Sequence, residues 1–176
     1  SDATRWQVGD QVMGLLGGGG YAEYVTTHGS TLLPVPDRVS EHDAGAIPEV
    51  FMTAFDAAIL QMELSAGEVV LIHAVGSGVG TAAVQIGRAI GAITIGTSRT
   101  PEKLAAASAL GLDDVVLADA DWPEKVLAVT RGRGVDVILD LVGGSYLEGN
   151  QKVLAPRGRH IVVGVPGGAV AQIDLR

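Results

Sequence analysis

From residue 66 onward the chain alternates between two hydrophobic rhythms. The runs "EVVLIHA", "AITIGT", "DVVLA", "VDVILDLV" and "RHIVVGV" are apolar at neighbouring positions, as strands buried on both faces must be. Between the first two lies "GTAAVQIGRAI", where Ala83, Val84, Ile86 and Ile90 fall close to helical spacing and Gly91 is placed as a C-terminal cap. Thr100-Pro101-Glu102 opens a second helix, with Pro at its first position, and Gly111 stops it. Asp121, Pro123 and Glu124 open a third. Five apolar strands joined by helices predict an α/β domain built on a doubly wound parallel sheet.

Residues 1 to 40 have a different texture. "DQVMGLL", "YAEYVTT" and "TLLPVP" are short β-leaning runs separated by glycine- and proline-rich turns, and they predict antiparallel strands of a small β-unit. Ser40 with Asp43 three residues later is a helix-capping pair. It leads into an Ala-rich helix from about Ala44 to Met62, which Pro48 kinks or restarts. The expected division is a β-unit over 1–45, a connecting helix over 46–65, and the sheet domain over 66–176.

Composition narrows the chemistry. Of 176 residues, 47% are hydrophobic and 18% charged, which suits a packed core rather than disorder. A net charge of −8 argues against a surface for nucleic acid, because phosphate backbones need clustered Lys and Arg. With no cysteine, the chain has no disulfide, no thiolate nucleophile and no thiolate metal ligand. No apolar run of roughly 18 residues suggests a membrane span, and "SDATRWQVGD" lacks the layout of a secretory signal. A cytoplasmic location is expected.

The candidate chemistry lies in "LIHAVGSGVG", residues 71 to 80, where the first strand of the sheet runs into a glycine cluster. Ligands of doubly wound sheets sit outside the carboxyl ends of the strands, beside this turn. Gly78 and Gly80 allow the backbone to approach a pyrophosphate, and the N–H groups of the helix start near Gly80 and Thr81 can face the anion. The dinucleotide fingerprint is incomplete, since Val75 and Ser77 occupy its first two glycine positions and Gly76 falls between them. A structural corner that binds nothing is the competing reading. The second strand ends in "GTSRTPEK", with Thr97, Ser98 and Arg99 where NAD sites place an acid, and Lys103 one helical turn further on. Hydroxyls and two cations suit a 2′-phosphate, so NADPH is expected over NAD; the alternative is that both cations are solvated surface charges.

Taken together, "GDQVMGLL", "GGYAEYV", "LLPVPD", "AGAIPEVFMTAFDAA" and "GEVVLIHAVGSGVGTAAVQIGRAIGA" resemble the medium-chain dehydrogenase/reductase superfamily. Within it, "IPE…TAF", "HAVGSGVGTAAVQ" and "LDLVGGSYLEGN" are similar to the zinc-free quinone oxidoreductase (zeta-crystallin-like) branch. The resemblance implies part of a GroES-like catalytic domain followed by a Rossmann domain that lacks the family's sixth strand. It implies a phosphate loop at Ser77, Gly78, Val79 and Gly80, and a 2′-phosphate site at Ser98, Arg99 and Lys103. It also implies a wall beside the nicotinamide and ribose at Thr53, Val142, Gly143 and Gly164 to Pro166, with Val165 between them. Glu49 aligns with the catalytic cysteine ligand of zinc-dependent relatives, and "GGGG" replaces their cysteine-rich lobe. No metal site is expected. Leu117 and Ala118 stand where relatives often flank the adenine with Asn or an aromatic residue.

Other conspicuous residues carry plainer readings. His73 reads as a core residue rather than a proton donor, and Trp122 as a staple at a helix start. Tyr146 reads equally as a support for the cofactor or as a packing aromatic. Tyr21 and Tyr24 belong to a strand, with at most one facing a cleft, and His28 and His42 read as surface residues. The function these readings imply is NADPH-dependent hydride transfer to a quinone or another conjugated carbonyl, in a homodimer; the truncated chain alone is expected to be inactive. Its rivals are an enoyl-thioester reductase of the same superfamily, a methyltransferase using a similar glycine motif, and a non-catalytic nucleotide-binding protein.

Overall fold

The computed structural model describes residues 5–173. The chain forms two compact units, Ser1–Met52 and Thr53–Arg176. In the first, β1 (Val12–Gly14) and β2 (Leu32–Pro34) pair antiparallel, with Met13 opposite Leu33. The expected strand in "YAEYVTT" does not form, and Tyr21 and Tyr24 are almost fully exposed. Local β-propensity needs a partner backbone to become a strand, and this segment pairs with neither β1 nor β2.

The capping pair forms as its spacing predicts. Ser40 Oγ accepts the Asp43 N–H at 3.1 Å and donates to Asp43 Oδ2 at 2.7 Å. The helix it starts, α1 (Glu41–Ala44), is only one turn long. Pro48 has no N–H to give the Ala44 carbonyl, so the chain turns and begins again as α2 (Ile47–Phe55). Wider π-type turns continue from Asp56 to Gln61.

The second unit is a five-stranded, all-parallel sheet. Its strands are β3 (Val69–Ile72), β4 (Ile93–Ser98), β5 (Asp114–Leu117), β6 (Val135–Asp140) and β7 (Leu154–Val162), in the spatial order β5-β4-β3-β6-β7. Chain order reverses beside β3, which places a topological switch point at its carboxyl end. Helices α3 (Gly78–Ile90), α4 (Pro101–Ala109), α5 (Trp122–Val129) and α6 (Leu147–Val153) connect the strands. Gly91 adopts φ 81° and Gly111 φ 100°, so both helix-stop glycines occupy the left-handed region that favours glycine.

Every residue of β3 is buried, as its unbroken apolar run requires. One face of the sheet, built from Val69, Leu71, Ile95 and Ile138, packs with Trp122 and Val126 of α5 and Val153 of α6. The last strand differs from expectation: it begins at Leu154 rather than Arg159, and Val135 pairs with Leu154 while Val137 pairs with Arg159. Residues 155–158 bulge between those two pairings, with Arg157 at φ 66°. Among the described residues, no helix is long and apolar enough to cross a membrane.

Candidate functional site

At the carboxyl end of β3 the chain leaves the sheet through His73 and Ala74, whose φ of 48° is unusual for a residue with a side chain. The Val75 N–H donates to the Thr97 carbonyl at 2.9 Å, which pins the turn to β4. Ser77 then caps α3: its Oγ accepts the Gly80 N–H at 3.1 Å and its carbonyl accepts the Thr81 N–H at 2.9 Å. Gly80 is required for packing, because a Cβ there would lie 2.7 Å from Val75 Cα. With Gly80 and Thr81 satisfied, the N–H groups of Gly78 and Val79 make no hydrogen bond among the described residues. They lie at the positive end of the helix dipole.

A cleft of about 270 Å³ opens beside this turn. Ser77, Thr97, Ser98, Arg99 and Lys103 form one end of its lining, and Leu141, Val142, Tyr146 and Pro166 contribute to the other. The Lys103 stem lies against the glycine turn, so that a Cβ at Gly76 would come within 2.6 Å of Lys103 Cβ. No Asp or Glu among the described residues lines the cleft. Among the described residues, no carboxylate lies within ion-pair distance of Arg99 or Lys103. An acidic chain thus presents a locally cationic cleft.

Two loops close the apolar end. Gly143 adopts φ 89°, and its neighbours bond across to the loop after β7: Gly144 N–H to Gly168 O at 2.7 Å, and Gly167 N–H to Val142 O at 2.7 Å. Beneath this end lies a row of buried polar residues. His73 Nε2 is 2.7 Å from Asn150 Oδ1, and its Nδ1 is 2.8 Å from Thr97 Oγ1. Asp140 Oδ2 accepts from Asn150 Nδ2 at 2.9 Å and pairs with His160 Nε2 at 3.2 Å. The rings of Trp122 and Tyr146 each meet His73 edge-on, at 4.8 Å.

Burial lowers the pKa of His73 to about 4, against smaller raising effects from the Asn150 hydrogen bond and the Asp140 charge. Burial alone would push the Asp140 carboxyl up; the His160 hydrogen bond and the N–H groups of Gly143 and Val142 outweigh it and hold the pKa below the ordinary carboxylate range. Burial raises the Tyr146 pKa, against the opposing charge of Arg99.

The structure brings most of the expected residues to one place. Ser77, Thr97, Ser98, Arg99, Lys103, Val142 and Pro166 line the cleft. Gly78, Val79 and Gly80 begin α3 immediately after Ser77, and Gly143 is buried next to Val142. Gly164 and Val165 immediately precede Pro166 but do not line the cleft, and neither does the half-buried Thr53. Ala74, Gly76, Thr100, Leu141, Ser145 and Gly167 line it without having been singled out. Trp122 is more than a staple, since it is buried and stacks with Tyr146 at 5.3 Å. Asn150 had carried no reading at all. Neither had Asp140, for which the available signal was the period-two row: His73, Thr97 and Asp140 each lie two residues beyond Leu71 and its partners Ile95 and Ile138.

These features define a doubly wound nucleotide-binding type of domain, with a cationic turn at its switch point. The sequence pattern of the zinc-binding dehydrogenase family matches residues 78–176, more than half of the chain, and the chain belongs to that family, an oxidoreductase family of the medium-chain dehydrogenase/reductase superfamily. A phenolphthiocerol synthesis polyketide synthase of Mycobacterium bovis is 40% identical over 166 residues, which are 93% of this chain and 8% of that protein. The structure of the CurK enoyl reductase superposes with a TM-score of 0.84 at 33% identity, over 98% of this chain and 56% of that one. The quinone oxidoreductase of Thermus thermophilus, solved also with NADPH, superposes with a TM-score of 0.80 at 35% identity, over 89% and 50%. The chain therefore spans about half the length of these solved relatives and under a tenth of the polyketide synthase.

The family's description implies zinc, and the donor set does not fit it. The chain has no cysteine, and the described residues offer no group of three or more His, Asp or Glu that could hold a metal ion.

Proposed function

We propose that this chain is the cofactor-binding part of an NADPH-dependent oxidoreductase that reduces a double bond conjugated with a carbonyl. The observation that carries this reading is the placing of Arg99 and Lys103, without carboxylate partners among the described residues, on the same cleft as the Ser77 turn. A pyrophosphate suits the N–H groups of Gly78 and Val79, and a 2′-phosphate suits the two cations and the Ser98 hydroxyl. The uncharged ring of the cofactor then falls to the apolar end, against Val142 and Pro166. NADPH supplies the hydride when bound. The chain's own residues bind its phosphates, fix its orientation and shield its reactive ring.

Two substrate classes share this chemistry. The polyketide synthase relative and the enoyl reductase neighbour favour an enoyl thioester, and the Thermus neighbour favours a quinone. Titration of the chain with NADPH, NADH and S-adenosylmethionine tests the cofactor: NADPH is expected to bind most tightly. Tighter binding of S-adenosylmethionine, or no nucleotide binding at all, would sink the reading. Oxidation of NADPH by the whole protein that carries this chain, with an enoyl thioester and with a quinone, separates the substrate classes. Turnover of neither would exclude both.

A further inference from the structure

The buried polar row does more than fill space beneath the cleft. Asp140 is fully buried at the end of β6, in the same sheet-face row as Ile138. A carboxylate there loses hydration that an aliphatic side chain in the same row does not. What it gains is direction. Its Oδ1 accepts the N–H groups of Val142 at 2.8 Å and Gly143 at 2.9 Å, which fixes the turn where Gly143 passes through φ 89°. That turn holds the loop after β7 through Gly144 and Gly167. One carboxylate oxygen thus anchors both loops at the apolar end of the cleft.

The second oxygen sets the order of the remaining bonds. A carboxylate only accepts, so Asn150 must turn its amide nitrogen toward Asp140 and its oxygen toward His73. His73 must then carry its proton on Nε2, leaving Nδ1 to accept from the Thr97 hydroxyl. Thr97 and Val142 both line the cleft, and the bonds through His73, Asn150 and Asp140 join them from below.

We propose that Asp140 is a positioning residue for the nicotinamide half of the cofactor, acting through the Val142–Gly143 turn. This rests on the reading of the cleft as an NADPH site. Asp140 touches neither the Ser77 turn nor the cations, and reaches Thr97 at the phosphate end only through Asn150 and His73. Loss of Asp140 therefore falls mainly on ligands that reach the apolar end.

The test uses two ligands on the 176-residue chain: NADPH, and adenosine 2′,5′-bisphosphate, which lacks the nicotinamide half. Asp140→Asn leaves one acceptor where Asp140 offers two, so an amide nitrogen faces either the Val142 and Gly143 N–H groups or the Asn150 amide. It is expected to weaken NADPH by about tenfold, the scale of one lost charge-assisted hydrogen bond, and to leave the bisphosphate within about twofold. The exchanged pair Asp140→Asn with Asn150→Asp restores the donor–acceptor order and is expected to recover most of the NADPH affinity. Equal losses for both ligands, or unchanged NADPH affinity, would overturn the proposal. Should Asp140→Asn lack a cooperative melting transition, the same titrations on the exchanged pair decide. There, recovery of most of the NADPH affinity supports the role, and a loss of NADPH affinity overturns it. An unmodified chain that binds neither ligand removes the cofactor reading and this inference with it; one that binds both while the variant loses both equally removes only the positioning role.

Discussion

His73 Nε2 and Asn150 Oδ1 meet 2.7 Å apart across 77 positions of sequence, and both side chains are buried. Burial, not this contact, holds the imidazole neutral: the Asn150 bond favours the charged form and is outweighed by the loss of hydration.

That relationship makes stability depend on pH. The His73 pKa falls from its ordinary 6.5 to about 4 on folding, so the unfolded chain binds the extra proton first. Its contribution is present in full above about pH 6.5 and is lost progressively as the pH falls toward 4. The loss is expected to reach about 3 kcal/mol. Denaturant melts between pH 7 and 4, compared with those of His73→Gln, check it: the variant should lack that part of the slope, and parallel slopes would contradict the assignment.

The cation pair should read the 2′-phosphate. Replacing both Arg99 and Lys103 with Ala is expected to weaken NADPH binding by roughly tenfold or more while changing NADH little. Both side chains are exposed, so the effect should shrink as salt is raised. Equal losses for the two cofactors, measured by calorimetry, would leave the pair a surface feature.

Two glycines of the turn should fail in different ways. Gly78 is exposed at the helix start, so Gly78→Val is expected to keep the melting transition within about 1 kcal/mol while obstructing the phosphates. Gly80→Val meets the backbone of Val75 and is expected to destabilise the fold by about 2–3 kcal/mol. Melting curves and NADPH titrations of the two variants should therefore rank in opposite order. A Gly78→Val chain with normal affinity would mean the cofactor does not lie on this turn.

The outer strand should support self-association. Among the described residues β7 pairs only with β6, and Val162 and Val163 at its end are exposed. A second copy of the chain is the expected occupant of that edge. Sedimentation equilibrium over a range of concentrations tests this; a monomer throughout would refute it, and Val162→Lys should weaken any dimer seen.

The sequence by itself determined the order of elements in the second unit, the glycine turn and the cations beside it. These are local matters: periods of two and 3.6, proline at Pro101, glycine at Gly91 and Gly111, and residue types placed at the end of one strand. Local pattern also carried the restart at Pro48, where α1 stops and α2 begins. It overreached in making "YAEYVTT" a strand, which needed a partner the fold does not supply. Only the tertiary structure decided what His73, Trp122, Asp140 and Asn150 do. The register of β3 on β4 and β6 sets His73 beside Thr97 and Asp140, and the packing of α6 lowers Asn150 onto them. No residue in that row carries a local preference for its partner. Each bond exists because strands distant in sequence are aligned and water is excluded between them, which leaves a buried donor no choice but the nearest acceptor.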